Sequence, residues 1–155
     1  MKQVYFWLIF SVLAVWGQYF VPSMDFFTPG LVVLLQLGHV SMAMWLGFFW
    51  MMVQEGAGGL AFGAMILFYS GMIVFFYIGG VFFEVSNFLF TFLIFVFLVF
   101  FMRVVVSVLA SLQGAVLPDN FLIHDILVQT GLYFLVWIVT FNLFKKHCIH
   151  EPVQR

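Results

Sequence analysis

"GLVVLLQLGHVSMAMWLGFFWMMV", residues 30–53, is the stretch whose reading decides the fold. It carries no formal charge, yet Gln36, Gly38, His39 and Ser41 interrupt it. A hydrocarbon core about 30 Å thick takes about 20 apolar residues in one helix. The run is therefore long for one crossing and short for two. A single tilted helix is one reading. The other is a hairpin of two short helices that breaks near Gly38-His39-Val40-Ser41. That is the most polar point of the run, as a backbone break inside a membrane requires.

The rest of the chain sets the class. Hydrophobic residues make up 66% of the 155 positions and charged residues 7%, against about a quarter charged in soluble domains. Too few polar groups exist to cover a water-facing surface, so the expectation is one integral membrane domain over residues 1–155. A formal charge of −1 argues against nucleic-acid binding, which needs a basic face. Cys148 is the single cysteine, so no internal disulfide forms. Lys2 precedes an apolar run with no small-x-small cleavage site after it, so this run is expected to remain as the first span.

Working outward, the predicted spans are Val4 to Val21, the run 30–53, Leu60 to Phe82, Phe88 to Leu109 and Phe121 to Phe144. The connections are "PSMDFFTP" (22–29), "EGAGG" (55–59), "FFEVSN" (82–87) and "SLQGAVLPDN" (111–120). Lys2 stands at one end of the chain and Lys145, Lys146 and Arg155 at the other. Basic residues near short flanks stay in the cytoplasm, which places both termini there and requires an even number of spans. Parity therefore favours the hairpin. The expected fold is an all-α compact bundle of six transmembrane helices, or five if residues 30–53 form one.

Ionisable residues inside a membrane are costly and carry a functional hypothesis by default. In the six-span layout Glu55, Arg103, His124 and Asp125 all fall towards the outer side and form a candidate polar network. It is read either as an outer-leaflet pocket or as a structural ion pair with an arginine reaching the interface. Glu84 reads as a solvated turn residue, and His39 as a structural histidine in the bundle. His147, Cys148 and His150 match no zinc framework. The chain offers no nucleophile–base pair or phosphate loop, so neither an enzyme nor a cofactor is expected. Gly59 and Gly63 form a GxxxG motif, Gly71 continues near the same face, and Gly47 pairs with Ala43. Small residues let helix backbones approach closely in a membrane, so these glycines are candidate helix-packing or partner-interface positions.

A proline-opened helix after an initial span, followed by "GFFWMMVQEGAGGLAFGAMILFYSGMI" (47–73), resembles the rod shape-determining MreD family. Pro29, Gly47-Phe48, Gln54-Glu55, Gly58, Gly59 and Gly63 carry the likeness, and Pro118 matches a proline before the last span. Glu55 stands where the family usually has aspartate. The resemblance implies a non-enzymatic subunit of the bacterial inner membrane in the elongation complex that controls cell shape and lateral peptidoglycan synthesis. Its implied partners are membrane lipids, a MreC-like protein, the MreB cytoskeleton, RodA and a penicillin-binding protein. The implied fold is similar to the substrate-binding subunits of energy-coupling-factor transporters. The alternative function is accordingly a small-molecule-binding subunit of such a transporter.

Overall fold

The computed structural model describes residues 2–21, 24–57, 63–112 and 123–149, without the side chains of residues 57, 123, 124, 148 and 149. Among these residues all regular structure is helical. The helices are α1 (Lys2–Phe20), α2 (Thr28–Gln36), α3 (Val40–Ala57), α4 (Ala64–Phe82), α5 (Phe88–Leu112) and α6 (Ile123–Phe144). A π-helical turn, Lys145–Ile149, continues α6. Four segments are long and apolar enough to cross a membrane: Lys2–Phe20, Ala64–Phe82, Phe88–Leu112 and Asp125–His147.

The run 30–53 does break where its polar residues cluster. Leu37 to His39 separate α2 from α3. Gly38 has φ of 75°, a left-handed conformation that glycine adopts without a Cβ penalty. The Gly38 N–H donates to the Leu35 carbonyl at 3.1 Å and the His39 N–H to the Leu34 carbonyl at 3.0 Å. This is a Schellman closure, which satisfies carbonyls that the end of a helix leaves open. The halves are unequal. α2 has 9 residues, about 14 Å of helix, too short to cross a bilayer. α3 has 18.

Two boundaries depart from the sequence expectation. α2 begins at Thr28, so Pro29 sits in its first turn rather than in a loop. A proline costs nothing there, since its missing N–H has no helical partner anyway. α3 runs through Gln54, Glu55 and Gly56 to Ala57, where a break was expected at Glu55. Both polar side chains find partners while staying helical, as described below.

α2 occupies the centre. Eight of its residues, Thr28 to Leu35, are buried. It packs between α3 and α6, and the circuit closes through α4 against α3 and α5 against α4 and α6. α1 lies outside this circuit and buries only Trp7, Ser11 and Ala14, a single stripe at helical spacing. That stripe meets Trp50 of α3: the Trp7 and Phe10 rings lie 5.9 and 5.5 Å from it. The Trp50 indole N–H donates to Ser11 Oγ at 2.7 Å. The Phe6 and Phe144 rings are 5.3 Å apart, so the start of α1 and the end of α6 share one face of the bundle.

Close approach explains several glycines. A Cβ on Gly30 of α2 would lie 2.6 Å from the Phe10 ring and 3.1 Å from Trp50. On Gly47 it would lie 3.3 Å from Leu31 Cδ2, and on Gly71 it would run into the Phe101 ring of α5. Gly30→Leu should therefore cost about 1–3 kcal/mol by overpacking. Gly56→Ala, where a Cβ meets nothing within 4 Å, should leave stability unchanged or raise it. Thermal unfolding in detergent measures both, and a Gly30→Leu protein as stable as wild type contradicts the packing described.

Candidate functional site

Asp25 lies in the connection between α1 and α2 and is 5% exposed. Its Oδ1 accepts the Phe27 N–H at 2.8 Å, the Thr28 N–H at 3.4 Å and the Gln54 side-chain amide at 2.7 Å. Its Oδ2 accepts the Thr28 hydroxyl in a short bond and faces the Tyr133 hydroxyl at 3.5 Å. The two backbone donors open α2, so the carboxylate also sits against the positive end of that helix dipole.

The network spreads from there. Tyr69 of α4 donates its hydroxyl proton to Gln54 Oε1 at 2.9 Å. Gln129 of α6 donates to the Tyr133 hydroxyl at 3.1 Å. One carboxylate thus joins the entry to α2 with α3, α4 and α6.

A second polar cluster holds the opposite end of α2. The Gln36 amide donates to the Val85 carbonyl at 3.0 Å and to Thr91 Oγ1 at 2.9 Å. Gln36 Oε1 accepts the Trp137 indole N–H at 2.7 Å. The α4–α5 turn, α5 and α6 are therefore tied to the last residue of α2. Arranged this way, the buried polar groups satisfy one another and fix a short helix at both ends.

The residues singled out from sequence are distributed as follows. Glu55 Oε1 accepts the backbone N–H groups of Gly63 and Met65, each at 3.1 Å, and so caps the start of α4. Its Oε2 is buried without a hydrogen-bond partner. Gly63, at φ 92°, is the residue that enters α4. It serves the turn by its conformation, and a Cβ there would meet nothing within 4 Å. Arg103 is half-buried on α5, and Asp125 is half-buried in the first turn of α6. His124 belongs to α6, but its side chain falls outside the described residues, as does all of Gly59. Of the candidate polar network, Glu55 is thus committed to α4. The packing glycines Gly47 and Gly71 face α2 and α5 respectively.

Sequence reasoning missed Asp25, Tyr69, Gln129 and Tyr133. One local signal for Asp25 existed. Thr28 followed by Pro29 marks a helix start, and an aspartate just before it is a residue type that accepts backbone amides two or three positions on. Comparison with protein families, characterised proteins and solved structures yields no match for this chain.

Replacing Asp25 tests the network. Asp25→Ala strands the donors of Phe27, Thr28 and Gln54 and should cost about 3 kcal/mol or more. Asp25→Asn keeps an acceptor at Oδ1 and should cost less. Unfolding of wild type, Asp25→Ala and Asp25→Asn in detergent measures this. Identical stability of the three proteins would contradict the assignment.

Proposed function

We propose that the chain is a non-enzymatic, multi-pass scaffold subunit of the bacterial inner membrane, of the kind found in MreD-containing elongation complexes that direct lateral cell-wall synthesis. One observation carries this reading: several of the residues that resemble the family take part in organising the bundle. Gln54 links Asp25 to Tyr69, Glu55 caps α4, Gly47 lies against α2, and Pro29 opens α2. The polar groups around Asp25 and Gln36 are occupied in joining helices, which suits a rigid platform for partner membrane proteins.

In this reading the six helices make six alternating passes, the second made by short α2 and the segment leading into it. Both ends lie in the cytoplasm, where Lys2, Lys145 and Lys146 are favoured. A MreC-like protein, MreB, RodA and a penicillin-binding protein are the partners to look for.

Purification of the tagged protein in mild detergent from its native bacterium should recover a MreC-like protein and cell-wall synthase subunits. Depletion should turn rod-shaped cells round. Recovery of a paired ATPase with a transmembrane coupling subunit, together with unchanged cell shape, would replace this reading with that of a transporter subunit. Reporter fusions at the C-terminus should show it to be cytoplasmic.

A further inference from the structure

A cleft of about 560 Å³ opens between the first turns of α1 and α3, within the roughly 300–1,000 Å³ range of small-molecule sites. Its two walls run parallel, because both helices start at this face. Each wall grades from polar to apolar in the same direction. On α1, Gln3 precedes Val4, Trp7 and Leu8; across the cleft, His39 and Ser41 precede Trp45 and Leu46. The apolar limb opens sideways: Leu8 is 53% and Trp45 76% exposed. In a bilayer these side chains face lipid.

The polar end favours an anion. Neither α1 nor α3 has an acidic residue in its own first turn, and the positive end of a helix dipole favours an anion there. The first backbone amides of α3 have no partner within the helix, and Val40, Ser41 and Met42 line the cleft. Trp7, 1% exposed, is part of the cleft wall, and its indole N–H is buried with no hydrogen-bond partner. Basic residues share this face. Phe144, whose ring is 6.0 Å from His39 and 5.4 Å from Trp7, is followed directly by Lys145 and Lys146. Glu84, in the α4–α5 turn at the same end of the bundle, is held by the Ser86 hydroxyl at 3.0 Å.

We propose that this cleft binds one anionic phospholipid from the leaflet at that face. Its phosphate is held by the His39 imidazole, the Gln3 amide, the Ser41 hydroxyl and the first amides of α3. One acyl chain lies along Val4, Leu8 and Trp45. An amphiphile meets both ends of the gradient, whereas a water-soluble anion would leave the apolar limb unfilled. The proposal does not depend on the scaffold reading.

Native mass spectrometry of the full-length protein, released from mixed micelles of phosphatidylglycerol and phosphatidylcholine with matched chains, tests it. Wild type should retain one phosphatidylglycerol in preference to phosphatidylcholine. Gln3→Ala combined with His39→Ala should weaken that retention about fivefold or more, a loss of about 1 kcal/mol in all. Leu8→Trp, which fills the apolar limb, should also reduce it. Ser41→Leu at the exposed rim provides a further variant if the double substitution fails to fold. Equal retention of the two lipids by wild type would overturn the proposal. So would unchanged phosphatidylglycerol retention in folded variants, or displacement of the lipid by inorganic phosphate alone.

Discussion

A carboxylate buried in an apolar interior costs several kcal/mol unless donors surround it. Asp25 has them: two backbone amides, one side-chain amide and a hydroxyl, with a tyrosine hydroxyl at the edge of range. Each interhelical hydrogen bond in a membrane is worth little by itself, on average about 0.6 kcal/mol. Their value lies in the asymmetry. Any arrangement that separates α2 from α3 or α6 strips donors from a charge that water cannot reach. The remaining architecture follows from that constraint, because α2 is too short to be held by membrane thickness. It stays in place because Asp25 fixes its start and Gln36 its end.

Packing then completes what the polar anchors begin. Where lipid chains are as apolar as the side chains, helices gain little by hiding from solvent, and close contact decides association. α2 contributes Gly30 beneath Phe10 and Trp50, and Leu31 faces Gly47 of α3. α4 and α5 meet with Gly71 under the Phe101 ring. α1 is different. It touches the bundle along one narrow stripe and through the Ser11–Trp50 hydrogen bond. The cleft beside its first turns is a consequence of that loose attachment.

Local features were legible in the sequence, and long-range ones were not. Composition announces a helical membrane protein, and Gly38 with His39 marks the break in the long run. The α2 closure forms from residues a few positions apart, so its signal is local. Asp25 is different: its partners Gln54 and Tyr133 lie 29 and 108 positions away. No spacing rule connects such distant residues, and between two prolines an aspartate reads as a turn residue. Glu55 shows the same limit. Sequence places it in a connection and in a candidate network with Arg103, His124 and Asp125; its cap on α4 is made through backbone amides that only the folded turn brings near. Gly63, half of the GxxxG motif, has a positive φ where it enters α4, a conformation that spacing does not reveal, and its motif partner Gly59 lies outside the described residues.

The central claim is that Asp25 holds α2 inside the bundle, and hydrogen exchange of the protein in lipid nanodiscs tests it most directly. In wild type the amides of Leu31 to Leu35 should be among the best protected. In Asp25→Ala they should exchange much faster, while the α4–α5 pair keeps its protection. If α2 stays fully protected in Asp25→Ala, the carboxylate does not hold the helix and the account is wrong.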